Sequence, residues 1–231
     1  MPAMATESTR RGFVAALGAG VTALGAGGSA AAQTPAAPHS TFAPARHADD
    51  DWYEEIPGKH RMIIDAATPM GAGAAILYAS NLYASNRSAY GLAEGDLAII
   101  ICMRHFATPF AFTDAVWSKY GKALGAAIDF KDPKSKEPPA TNLYNASGYA
   151  MALPNMGATL DAVLKRGARI AICDMASRMM AGVLARSTGS AADAILADFK
   201  ANIVANSRFV AAGVLAVNRA QERGYTLIYA G

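Results

Sequence analysis

The chain has little of what several common protein devices require. It holds two cysteines in 231 residues, too few for a disulfide framework or a zinc site built from cysteine alone. Charged residues make up 17%, below the usual quarter, and the net charge is only +3. The charges are scattered and form no basic stripe, which argues against nucleic acid as a partner. Beyond the N-terminal region no apolar run reaches the roughly 18 residues of a membrane span. No Ser-His-Asp arrangement and no paired carboxylates stand out. Gly71-Ala72-Gly73 lacks the third glycine of a dinucleotide fingerprint, because position 76 is Ile. No cofactor is implied. What is present is apolar: 52% of residues, enough to bury the core of one good-sized domain and to exclude disorder for most of the chain.

The first 32 residues read as an address. Ser8-Thr9-Arg10-Arg11-Gly12-Phe13 carries an arginine pair before a weakly hydrophobic Ala/Gly-rich stretch, and Ala30-Ala31-Ala32 offers a small-residue cleavage site. This order predicts a twin-arginine export signal over 1–32 and a periplasmic destination, an oxidising compartment. Residues 33–58 read as a flexible tether, small, polar and punctuated by proline. Its acidic end, Asp49-Asp50-Asp51-Trp52-Tyr53-Glu54-Glu55, brings two aromatics expected to dock on the domain.

From residue 59 to 231 strands and helices alternate. Strands are expected over 61–66, 97–103, 169–173, 209–212 and 225–229. The run 97–103 is apolar at every position, as in a strand buried on both faces. Helices are expected over 71–89, 110–120, 158–166 and 214–223, the last closed by Gly224. Ser190-Ala191-Ala192-Asp193 has capping-box spacing and opens a further helix. Alternation of this kind implies a three-layer α/β/α sandwich around a mostly parallel sheet of about five strands. One segment, 129–155, has no apolar period and reads as an irregular insertion. Chain direction places its later part, from Tyr144 to Asn155, near the carboxyl ends of the strands.

Open α/β sheets bind ligands at that carboxyl edge. The first strand delivers Met70 there, the second Arg104 and His105, the third Cys173, Asp174 and Met175. Cys173 is the sharpest candidate. It lies where a buried strand enters a helix, and helix N-terminal amides favour a thiolate. Arg178 adds to that effect and Asp174 opposes it. Cys102 sits within the apolar run and reads as core. In the common 2-1-3 strand order the two cysteines stand about 10 Å apart, too far for a disulfide. His105 suits proton sharing, substrate orientation or metal binding, and equally the capping of loop carbonyls. Met70, Met175, His105 and Cys173 form a possible soft-metal or haem set, and methionines at such positions also serve as packing.

These residues resemble a family. The strand ending in Cys173 with its following helix, and the closing run Ala212-Gly213-Val214 … Ala220-Gln221-Glu222-Arg223-Gly224-Tyr225, are similar to DsrE/DsrF-like proteins. Arg104-His105 with Pro109-Phe110-Ala111 and Asp114-Ala115-Val116-Trp117-Ser118-Lys119-Tyr120 resemble an exported branch of that superfamily. The resemblance implies a homo-oligomer, often a trimer or hexamer, and places Cys173 at the position that carries a persulfide in sulfur relay. Under that reading Cys173 accepts sulfane sulfur, Arg104 and His105 stabilise it, and a periplasmic sulfur or redox protein is the partner. The alternatives are a non-catalytic module for a small ligand or soft metal, and an oligomeric scaffold.

Overall fold

A computed structural model describes residues 43–231, of which 44–231 form one compact unit. The expected export signal and the first part of the tether, up to residue 42, lie outside the described residues. The chain runs through α1 (Trp52–Glu55), β1 (His60–Ala66), α2 (Pro69–Tyr90), β2 (Leu97–Met103) and α3 (Asp114–Ala127). It continues with α4 (Leu160–Lys165), β3 (Arg169–Cys173), α5 (Asp174–Thr188), α6 (Ala192–Ala201), β4 (Ser207–Val210), α7 (Gly213–Glu222) and β5 (Thr226–Tyr229). The fold class is as the alternation requires: an α/β protein with a five-stranded, all-parallel sheet.

The strand order is β4-β3-β2-β1-β5. This corrects the 2-1-3 order: β2, the most apolar strand, lies in the middle, and β1 does not separate it from β3. The central place suits a strand with all seven residues buried. Each of its three consecutive isoleucines contributes about 1.5–3 kcal/mol of burial.

Strand alternation divides the core. Ile64, Ile99, Ile101, Ile170 and Ile172 face a large layer built from α2 to α6. Ile63, Ile100, Cys102 and Ala171 face a thinner layer, where α7 is joined by the α1 strap. Trp52 and Tyr53 of the strap are buried, so the expected docking of these aromatics is met. The Tyr53 hydroxyl donates to the Ala216 carbonyl at 3.0 Å, and the Tyr225 hydroxyl donates to the Tyr53 carbonyl at 2.6 Å.

Two local expectations fail for identifiable reasons. The helix expected over 110–120 is split into a 3-10 stretch, His105–Ala111, and α3. Pro109 cannot donate to a helical ladder, and Phe112 and its neighbours pair instead with residues 202–204 through Thr113 N–H to Asn202 O and Val204 N–H to Ala111 O. The capping box at Ser190 does not form: α6 is capped by Ala191 without a side-chain bond, and the Ser190 amide donates to the Thr188 hydroxyl.

Segment 129–155 lacks periodicity but contributes Phe130, Leu143, Tyr144 and Leu153 to the core. Asn142 Nδ2 donates to the carbonyls of Phe110 and Phe112 at 2.8 and 3.0 Å. The Tyr144 hydroxyl donates to the Pro69 carbonyl at 2.5 Å, so this part of the insertion does reach the carboxyl end of β1. Gly121 and Gly125 of α3 make the close approach possible, since a Cβ at either would run into the backbone of Pro139 or Phe130. Among the described residues no helix is long and apolar enough to cross a membrane.

Candidate thiol site at the carboxyl edge

β3 and α5 meet at Cys173. Its backbone is extended (φ −70°, ψ 109°), and its Sγ caps α5 by accepting from the Ala176 amide at 3.4 Å. Ser177 Oγ donates to the Cys173 carbonyl at 2.9 Å and secures the first turn. The sulfur is thus held at the positive end of a 15-residue helix. The neighbouring carboxylate, expected to oppose a thiolate, is largely answered: Asp174 accepts from Arg178 Nε at 2.5 Å and lies 3.2 Å from Lys200 Nζ. Partial burial raises the Asp174 pKa, but these two cations outweigh it and hold the carboxyl below its ordinary value.

Cys173 lines a cavity of about 450 Å³ with Arg104, His105, Met175, Met179 and Val214. The β2–β3 register explains why. Met103 pairs with Ile172, so the next residue of each strand, Arg104 and Cys173, emerges at the same edge. Gly213, at the start of α7, packs so tightly on the Arg104 side chain that no Cβ fits there. Three of the four expected soft ligands, His105, Cys173 and Met175, therefore share the cavity, whereas Met70 is absent from its lining. The Tyr144–Asn155 segment, expected to line the same crevice, packs on α2 and is also absent from it. Among the described residues no group of three or more His, Cys, Asp or Glu is placed to hold a metal ion.

Arg104 has a partner that the sequence reading missed. Its Nε and Nη2 donate to Asp65 Oδ1 and Oδ2 at 2.6 and 2.8 Å, a two-pronged ion pair with Asp65 buried. The hydrogen bond that Arg104 donates to Asp65 raises the Arg104 pKa further above its ordinary value, so the guanidinium is always charged and already balanced. A signal was available, since Asp65 is the one charged residue in the apolar stretch 62–67 of the first strand. His105 adopts a left-handed backbone (φ 51°) and stacks on Phe106 with ring centroids 4.1 Å apart. The conformation costs energy for a residue with a Cβ. It is enforced by the Arg104 and Phe106 amides, which donate to the carbonyls of Ala66 and Ala67.

Cys102 is different. It is fully buried, its Sγ lies 3.5 Å from the Gly213 carbonyl, and burial first, then the nearby Asp65, pushes its pKa far up. This is the core cysteine the apolar run predicts. The two cysteines do not stand two strands apart as the 2-1-3 order implied. They stand on adjacent strands, Cys102 opposite Ala171 and Cys173 two residues further on. That diagonal separates their Cα atoms by about 8 Å, still beyond reach of a disulfide without backbone movement. Both thiols are free.

A larger cavity, about 510 Å³, lies between the α1 strap and the β4–α7 connection. It is lined by His47, Asp50, Trp52, Arg208 and Arg219 and contains no cysteine. A scan against protein-family models finds no match to this chain, and comparisons with curated proteins and with solved structures find none either.

Proposed function

We propose that this protein is a sulfur-handling protein of DsrE-like type, exported by the twin-arginine route, in which Cys173 accepts and passes on sulfane sulfur. The observation that carries the reading is the placement of the Cys173 thiol at the N-terminus of α5, facing a cavity that also contains an imidazole and a guanidinium. The sequence resemblance described above supports it. In the transfer, His105 takes the Cys173 proton, and the thiolate attacks the outer sulfur of a persulfide R–S–S–H. The Cys173 S–S bond forms, the donor S–S bond breaks, and its electron pair leaves on R–S⁻. His105 returns the proton to that thiolate, so Cys173–S–S–H and R–S–H result. The test is mass spectrometry after incubation with inorganic polysulfide. An added mass of about 32 Da on Cys173, absent from Cys102 and lost in Cys173→Ser, is expected. An unmodified Cys173 under conditions that load a free cysteine peptide removes the reading.

A second reading is a binding site for a soft cation, favoured by the presence of Cys173, His105, Met175 and Met179 around one cavity. Copper(I) titration with a thermal melt checks it: a stabilisation that disappears in Met175→Leu supports it, and an unchanged melting temperature excludes it. The residues of α5 and α7 that remain exposed also suit packing between copies in a homo-oligomer.

A further inference from the structure

We propose that the Cys173 cavity takes its sulfur from a donor with an apolar body, an organic persulfide or polysulfane, and discriminates against small dianions such as thiosulfate. This rests on the reading of Cys173 as a sulfur acceptor and names the donor class for it.

Three features of the cavity carry the inference. First, Arg104 is not a free cation. Asp65 occupies two of its donors and cancels its charge, so an incoming dianion meets a neutral pair. Second, the remaining walls are apolar and open to solvent. Met175 and Val214 are 66% and 65% exposed, Met179, Ala176, Ala212 and Gly213 continue the wall, and His105 is its one other polar side chain. Apolar side chains left exposed around a reactive group gain most from an apolar ligand that covers them. Third, the volume of about 450 Å³ lies in the range of roughly 300–1,000 Å³ usual for organic ligands. An anion of a few atoms would leave most of that space, and all of the methionine surface, in water.

The positive ends of α5 and α7 do favour negative charge here, and α7 has no side-chain cap on its first turn. They suit the single charge present during transfer, first on the Cys173 thiolate and then on the departing R–S⁻. With an organic persulfide the balance is that given above. With thiosulfate the leaving group is sulfite, which carries two negative charges out through an apolar mouth.

The test compares benzyl persulfide, cysteine persulfide and thiosulfate as donors to the full domain, with loading of Cys173 followed by mass spectrometry. Each rate is divided by that of a cysteine peptide with the same donor, which removes intrinsic reactivity. The benzyl donor is expected to show an enhancement about tenfold above that of thiosulfate. Val214→Asp, at an exposed site on the cavity rim, is expected to reduce this preference to about threefold or less. Asp65→Asn, which frees the Arg104 charge, is expected to raise thiosulfate loading above wild type. An enhancement for thiosulfate equal to or greater than that for the benzyl donor overturns the proposed donor class while leaving Cys173 as a sulfur acceptor. Failure of every donor to load Cys173 overturns both.

Discussion

At the residue scale the site depends on a few polar groups placed with little freedom. Cys173 was legible in the sequence because a buried strand running directly into a helix puts one residue at the helix N-terminus. His105 and Arg104 were legible as the residues following β2. What was not legible was the state of Arg104. Pairing with Asp65 is a relation between adjacent strands, and only the strand order shows it. Two of the donors that the expected role of Arg104, stabilising anionic sulfur, left free are therefore taken by Asp65. Asp65→Asn is expected to cost about 1–2 kcal/mol, below the 3–5 of a fully buried pair because Arg104 remains in partial contact with water. Urea denaturation of wild type and variant measures it, and no change in midpoint contradicts the pairing.

At the element scale, strand positions were the most readable feature, although β4 runs Ser207–Val210 and not over 209–212. β2 begins and ends where its apolar run does, and β3 ends on Cys173 as expected. Helix boundaries read less well where tertiary contacts compete with local pattern. The pairing of Phe112 with Ile203 pulls the chain out of helix just where periodicity continues it, and this pairing spans some ninety residues. The insertion 129–155 hid its buried residues because irregular backbone has no period to display. Its fit on α3 gives a clear prediction. Gly121→Ala forces a methyl group into the Pro139 carbonyl, backbone that cannot step aside as a side chain does. A loss of about 2 kcal/mol is expected, seen as a fall of roughly 4–8 °C in melting temperature. A variant that melts with wild type would show that the insertion does not lie against α3.

At the scale of the whole molecule, the two faces of the sheet are unequally clothed. The layer of α2 to α6 covers one face generously, while the other relies on α7 and the short α1 strap. The alternation of strands and helices made the layered fold legible, but not this asymmetry. The order β4-β3-β2-β1-β5 followed from no local signal, since sequence proximity of strands does not state which lie side by side. The strap is consequently part of the domain's stability. Tyr53→Ala removes a fully buried ring and its bond to the Ala216 carbonyl, with an expected cost of about 3–5 kcal/mol in urea denaturation. A cost under about 1 kcal/mol would mean that α1 rests on the domain without holding it together.

The central claim is that a sulfur atom is carried on Cys173 and not on Cys102. Its most direct measurement is the chemical state of both cysteines in protein taken from its own cells into an alkylating quench, resolved by peptide mass spectrometry. The account predicts a fraction of Cys173 recovered as alkylated persulfide, about 32 Da heavier than the alkylated thiol, with Cys102 present only as plain thiol. Cys173 found only as plain thiol, in cells where other persulfides are detected, contradicts it.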